Sequence, residues 1–371
     1  MLVSIDYSQQ ELRWLAILTG DPALLEVYQK GLDMHSRITC QIHGINYDMF
    51  EEIRNHKGDT EEETQINIKN VIANWKGTDE TGYAIGYIND VEGSKLESLD
   101  EGTVVSLANS FELMRKKTKS VVFGTVYGIT EIGLADQLGG TKEEAKQLID
   151  GFKAGLPKYL EWESNVHNKI MKQGYAETVL GRKRRFGETI AEAKQTDLYK
   201  RKKWHWKIEG CKRQSSNSEV QGSSADQSKR AMVELHYPTR PDGTLCFDRD
   251  EWINEGYQSI ADKHDVHILL QVHDEIVFDA PMDTPWEVLE QLADIMQNVI
   301  PNDMGIEFKS DIEASPYWGG VFSREEIQQV VDGKLDWKAR FQDEVQQKIK
   351  KQLGDDYEVG DFMEKDEEDV A

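Results

Sequence analysis

A chain of 371 residues, 38 % hydrophobic and 30 % charged, has the composition of a globular protein and the length for two or three packed subdomains. No run approaches the ~18 consecutive apolar residues of a membrane span, and the N-terminus lacks a basic-then-apolar signal pattern, so no membrane partner is expected. The net charge of −24 argues against a generally nucleic-acid-binding surface, because phosphate contacts need Lys and Arg, and the odd set Cys40, Cys211 and Cys246, without metal spacing, reads as reduced thiols in the cytoplasm.

In chain order, Leu2–Asp6 reads as a short strand and Glu11–Thr19 as a helix that stops at Gly20. Asp21-Pro22 is an N-cap followed by proline at the first helical position, which predicts a helix to Lys30. Residues 33–43 look helical. Residues 45–110 are rich in Asp, Glu, Asn, Gly and Thr and read as an insertion, with some order expected between Ile66 and Trp75. Helices resume over 111–127, after the capping box Thr141-x-x-Glu144, and after Pro157. Residues 175–187 read as strand, turn at Gly181-Arg182, strand. A polar, basic stretch at 188–212 looks like a second insertion, and Arg213–Leu235 like a long helix. Residues 238–256 read as a loop or a small third insertion. Val266–Val272 and Ile276–Phe278 flank His273-Asp274-Glu275 as a hairpin, followed by a helix near 286–299 and a strand near 306–312. Ser323-x-x-Glu326 caps one more amphipathic helix, and an acidic tail closes the chain.

Charge is unevenly distributed. Basic clusters stand at Arg115-Lys116-Lys117-x-Lys119, Arg182–Arg185 and Lys200–Lys203, whereas acidity gathers at 51–63 and 355–369. Arg115, Lys119, Phe123 and Tyr127 are spaced by four, so on a helix they form one stripe with cations at one end and aromatic rings at the other. Such a stripe suits a nucleoside triphosphate, although an aromatic stripe alone is more often core. Asp6 and Asp274 each follow an apolar run, where a lone Asp is usually a turn or helix cap.

The strings Asp6-Tyr-Ser-Gln-Gln-Glu-Leu-Arg13, Arg115-x3-Lys119-x3-Phe123-x3-Tyr127-Gly128 and Gln271-Val-His-Asp-Glu-Ile-Val-Phe278, in this order, resemble motifs A, B and C of the family A (DNA polymerase I-like) DNA polymerases. The resemblance spans roughly residues 1–318 with interruptions. It implies an α+β (mixed) fold, a polymerase palm with an antiparallel sheet plus a helical fingers subdomain, with thumb and exonuclease absent. The expected organisation is a first palm part with motif A and the start of the fingers at 1–44, the acidic insertion at 45–110, fingers with motif B and a basic insertion at 111–212, a second palm part with motif C at 213–320, and an extra helix with the acidic tail at 321–371.

The implied activity is template-directed nucleotidyl transfer from deoxynucleoside triphosphates to the primer end of a primer–template DNA, in DNA replication. The cofactors would be two Mg²⁺ ions, with Mn²⁺ able to substitute. Such ions take one or two protein carboxylates, which Asp6 and Asp274 would supply, together with the backbone carbonyl of Tyr7. Glu275 lies near them as a weaker ligand and a further catalytic candidate. By the same resemblance Gln9, Glu11, His35, Arg115, Lys119, Phe123 and Tyr127 bind the nucleotide. Glu11 would close against the sugar C2′ position, His35, Arg115 and Lys119 would meet the triphosphate, and Lys119 would also protonate pyrophosphate. Phe123 would stack on the nucleotide and favour deoxy over dideoxy sugars, and Tyr127 would border the template-base pocket. Arg213, Asn217 and Gln221 would read the minor groove, His273 would touch the primer end, and Arg182 and Arg185 would contact the DNA backbone.

Two residues depart from the family pattern. Gln10 stands where an aliphatic residue is usual, and Val122 where Asn is common. Family members carry hundreds of residues before motif A, against five here, so the expectation is a split enzyme whose thumb, exonuclease and remaining palm form a separate N-terminal chain, as would suit a virus in the cytoplasm of a bacterial host. The competing expectations are a single-subunit RNA polymerase, against which Glu11 and the VHDE string speak, and an idle DNA-binding scaffold.

Overall fold

The computed structural model describes residues 1–195 and 202–353. Lys200 and Arg201 of the third basic cluster, and the acidic tail from Asp355, lie outside the described residues. The strands among the described residues are β1 (Leu2–Ser8), β2 (Tyr175–Glu177), β3 (Lys183–Arg185), β4 (His267–Val272), β5 (Glu275–Asp279) and β6 (Lys309–Ser315). The chain forms two compact units, one of residues 11–223 and 302–307, the other of residues 1–10, 224–301 and 308–371. No helix among the described residues is long and apolar enough to cross a membrane.

The first unit is helical. It opens with α1 (Gln10–Thr19), α2 (Pro22–Gln29) and α3 (Met34–His43). The predicted cap at Asp21 forms, and it does more than cap α2. One carboxylate oxygen accepts from the Ala23 amide at 3.0 Å, and the other accepts from the amides of Lys158 and Tyr159 at 2.9 and 3.3 Å. Asp21 is fully buried. Replacing it by Ala orphans donors at two helix starts, and a loss of about 3 kcal/mol in unfolding free energy is expected, read as a lowered denaturant midpoint at unchanged slope.

The stretch expected as an insertion is largely helical: α4 (Tyr47–Arg54), α5 (Glu61–Trp75), α6 (Asp79–Glu92) and the first half of α7 (Glu101–Val126). These helices share a core of their own around Phe50, Ile53, Ile68, Val71, Ile85, Ile88, Leu107 and Phe111. Phe50 and Phe111 stack at 4.5 Å. The apolar residues recur every three or four positions, one buried stripe per helix, which a polar average composition hides. The unit continues with α8 (Glu131–Leu138), α9 (Lys142–Ala154) and α10 (Pro157–Gln173), and the capping box Thr141/Glu144 is formed. Next come the β2–β3 hairpin, α11 (Gly187–Gln195) and α12 (Lys202–His236). The basic stretch expected as an insertion is thus largely α11 and the start of α12, which begins well before Arg213. A second core, with Leu12, Leu15, Leu24, Val121, Val122, Phe152 and Tyr159, lies under α1, α7 and α9; Val122 is apolar because it is fully buried there.

The second unit is a sheet of order β4-β5-β1-β6, antiparallel throughout. After α12 come α13 (Arg249–Glu255), inside the span expected to be a loop, α14 (Ile260–Lys263) and α15 (Trp286–Asn298). Val3, Ile5 and Tyr7 alternate inward on β1, while α15 buries Val288, Leu289, Leu292, Ala293 and Met296. The Tyr7 hydroxyl donates to the Met296 carbonyl at 2.6 Å. β6 begins three residues later than the apolar run predicts, because Ile306 and Phe308 are buried ahead of the ladder.

Beyond the sheet the described residues form two helices rather than one, α16 (Arg324–Val331) and α17 (Trp337–Leu353). Tyr317 packs against Phe322, Trp337 and Phe341, and the Arg340 guanidinium lies 4.1 Å over Phe322.

Candidate active site

In the second unit β1 carries Asp6, and the tight turn between β4 and β5 carries His273 and Asp274. The Tyr7 amide donates to the Asp274 carbonyl at 3.3 Å, which joins the two acidic segments through the backbone. Two non-glycine residues beside these aspartates, Gln9 and His273, have φ of +54°. Such strain persists where the surroundings over-determine the backbone, and it clusters at functional sites.

Register sets the electrostatics. Asp6 lies opposite Glu275 on one side and Asp311 on the other, and Ser4 lies opposite Glu313. Paired residues, and residues two apart, share a face, so four carboxylates crowd one face of the sheet. Glu275 accepts a bond from the Ser4 hydroxyl. The Asp6 side chain is exposed on this face, yet its carboxyl is pushed up to about 6, first by partial desolvation and then by repulsion from Asp274, Glu275, Asp311 and Glu313. Among the described residues no group of three or more His, Cys, Asp or Glu side chains is arranged to hold a metal. The hard oxygens of an aspartate pair, in a site with excess negative charge, fit a divalent cation that takes one or two carboxylates.

In the first unit α7 carries the predicted stripe as far as Phe123, and Tyr127 is the C-cap of that helix. Arg115 does not stand open: its guanidinium makes a bidentate pair with Asp33, at 3.1 and 2.7 Å. Burial alone would raise the Asp33 carboxyl, but the Arg115 bonds and the Ser36 amide hold it well below the usual carboxylate range. Asp33 is also the N-cap of α3, so this pair pins the start of α3 to α7. His35, one turn on, is buried with its Nδ1 lacking a hydrogen-bond partner, and its ring lies 5.7 Å from Phe123. Burial, with Arg115 and Lys119, pushes its pKa down to about 4 against the pull of Asp33, so the ring is neutral at pH 7.

Lys119, Phe123 and Tyr127 line one open cavity of about 630 Å³, with Lys116, Ile129 and Gln137. Phe123 and Tyr127 lie 5.9 Å apart, and the Tyr127 hydroxyl donates to the Glu11 carboxylate. Side chains come close to Gly124 and Gly128. A Cβ at Gly124 would stand 2.8 Å from Ile129, and one at Gly128, where φ is +77°, would stand 2.8 Å from Arg213.

On α12 Arg213, Asn217 and Gln221 do share one face, half-buried to exposed, and Asn217 donates to Gln221 at 3.0 Å. Arg182 donates to the Gly222 carbonyl at 2.8 Å, and Arg184, not singled out from sequence, bonds Ser218 and Gln214. Arg185 is exposed beside a cavity of about 460 Å³ that Arg184 and Lys207 also line. Other residues missed from sequence are Asp33, Ser4, Asp311 and Glu313. The period-two string Asp311-Ile-Glu313 was the available signal for the last two.

Residues 1–57 and 101–320, more than half of the chain, match the sequence profile of DNA polymerase family A; the intervening gap contains α5 and α6. The chain is 26 % identical to DNA polymerase I of Chloroflexus aurantiacus over 316 residues, 85 % of this chain and 24 % of that protein. It is 27 % identical over 312 residues to the thermostable DNA polymerase I of Thermus aquaticus, covering 84 % of this chain and 26 % of that one. The chain thus spans about a quarter of the length of these relatives. Its fold resembles the POL domain of Pol1 from M. smegmatis, determined in complex with DNA primer-template and dNTP, with a TM-score of 0.53 and 23 % identity over 84 % of this chain and 39 % of that one.

Proposed function

The chain belongs to DNA polymerase family A, and on that premise we propose that it carries out template-directed addition of deoxynucleotides to a primer 3′ end in DNA replication. The observation that carries the proposal is the junction of β1 with the β4–β5 turn, which brings Asp6 and Asp274 to adjoining backbone positions on a carboxylate-rich sheet. In this reading Asp6, Asp274 and the Tyr7 carbonyl hold two Mg²⁺ ions, or Mn²⁺, with Glu275 beside them. When bound, such ions neutralise the charge that develops at phosphorus and lower the pKa of the attacking hydroxyl.

The remaining roles fall to the chain's own groups. Lys119 faces the triphosphate and returns a proton to pyrophosphate. Neutral His35 offers one N–H to a phosphate oxygen. Arg115, already bonded to Asp33, is a fixed cation rather than a searching one. Phe123 stacks on the nucleotide and Tyr127 borders the template base. Gln9, at its strained turn, lies beside the nucleotide. Arg213, Asn217 and Gln221 follow the minor groove, Arg182 and Arg185 the DNA backbone, and His273 the primer end. Glu11, held by the Tyr127 hydroxyl, occupies the space a ribose 2′-hydroxyl would need. Glu11→Ala is expected to raise ribonucleotide incorporation roughly 100-fold relative to deoxynucleotide, measured as the ratio of kcat/KM values. A wild-type preference for ribonucleotides would instead favour the RNA polymerase reading.

The proposal extends to a separate chain bearing thumb, exonuclease and further palm strands, as in a split viral replicase. What supports it is the edge strand β4, where Leu269, Leu270 and Val272 are 51, 39 and 41 % exposed. Unprotected apolar edges are ones that proteins normally cover. Primer extension with Mg²⁺ and deoxynucleotides, by this chain alone and with the product of the neighbouring polymerase-like reading frame, tests both parts. Extension only with the second product is the expected result. Extension by this chain alone removes the partner, and none in either case leaves an idle scaffold.

A further inference from the structure

We infer that the buried amide pair of Gln10 and Gln227, with Ser228, positions Glu11 and so helps set sugar selection; this rests on the polymerase reading above. Gln10 is 2 % exposed, Gln227 fully buried and Ser228 1 % exposed. Gln10 Nε2 donates to Gln227 Oε1 at 3.2 Å and to Ser228 Oγ at 3.4 Å. A buried amide is costly unless hydrogen-bonded, and an aliphatic side chain would fill the same space without that risk. What the amide adds is direction.

Direction matters at this point of the chain. β1 ends at Ser8, Gln9 reverses the backbone at φ +54°, and Gln10 is the first residue of α1. A hydrogen bond from the first helical side chain to α12 fixes the rotational phase of the first turn of α1. Glu11 is the next residue, so its azimuth follows. Apolar contact tolerates sliding, whereas two acceptors on successive residues of α12 do not. Gln10 is therefore a positioning residue, acting through Glu11.

The test compares Gln10→Leu, Gln227→Leu and the double variant for melting temperature and for the deoxy-to-ribonucleotide ratio of kcat/KM, in the enzyme with whatever partner activity requires. Each single change removes the buried bond between the two amides, so both melting temperature and selectivity are expected to fall, selectivity roughly 10-fold. In the double variant both amides are gone and the melting temperature recovers, while selectivity stays low, because nothing directional remains. Ser228→Ala, which keeps the amide pair and should fold, is expected to lose two- to threefold in selectivity. Selectivity that is unchanged in the single variants, or that recovers with melting temperature in the double, overturns the inference and leaves the polymerase reading standing. Wild-type protein that extends no primer under any condition overturns both.

Discussion

Asp274→Ala should fold and lose primer extension by a factor of at least ~10³, because it removes one of the two carboxylates around which phosphoryl transfer is proposed to be organised. The side chain sits on a two-residue turn at the surface of the sheet, and its backbone carbonyl, not its carboxylate, receives the Tyr7 amide. The fold therefore keeps its connection when the carboxylate goes. A rapid-quench measurement of a single turnover separates the chemical step from DNA binding, which should change little. Residual activity within tenfold of wild type would show that Asp274 holds no essential ion.

The second large effect has opposite signs in two assays. Asp6→Asn should abolish extension to a similar degree and yet raise the melting temperature of metal-free protein above pH 6. The folded carboxyl is raised to about 6, because partial desolvation and four neighbouring carboxylates oppose its charge, whereas an unfolded aspartate titrates near ~3.9. Between those values the native state binds more protons than the unfolded state, so this group makes stability fall as pH rises through the window. Below about pH 4 the carboxyl is protonated in both states and the variant should match wild type. The gap opens up to about pH 6 and stays open above it. Mg²⁺ should raise the wild-type melting temperature more than that of the variant. Melting curves at pH 4 and pH 8, with and without Mg²⁺, give all four comparisons, and a variant no more stable than wild type at pH 8 removes the electrostatic account of the site.

Much of this was legible in sequence because the decisive signals are local. The Asp21-Pro22 cap, the Thr141 and Ser323 boxes, and the hairpin around His273-Asp274 each depend on a few adjacent residues, and all formed. The arginine–lysine–aromatic stripe lies on one helix because spacing by four permits nothing else in an α-helix. What stayed hidden depends on distant pairing. Nothing in the string around Asp33 says that Arg115 will grip it, and the crowding about Asp6 appears only once β6 is set in register. The helices between residues 45 and 110 were obscured for a different reason. Their outward faces are so acidic and polar that the narrow apolar stripes are diluted in any average over the segment.

The order of strands in the sheet has a consequence for synthesis. β1 lies between β5 and β6, so the strand made first has both its neighbours made last. Ser4 and its partner Glu275 are 271 residues apart, which at about 5–20 residues per second corresponds to roughly 15–55 s of translation. Over that interval Val3, Ile5 and Tyr7 have no sheet to enter, while most of the helical unit has already left the ribosome. The residue on which the chemistry is proposed to depend is thus translated well before the strands that place it, and β1 is expected to need a chaperone over that interval.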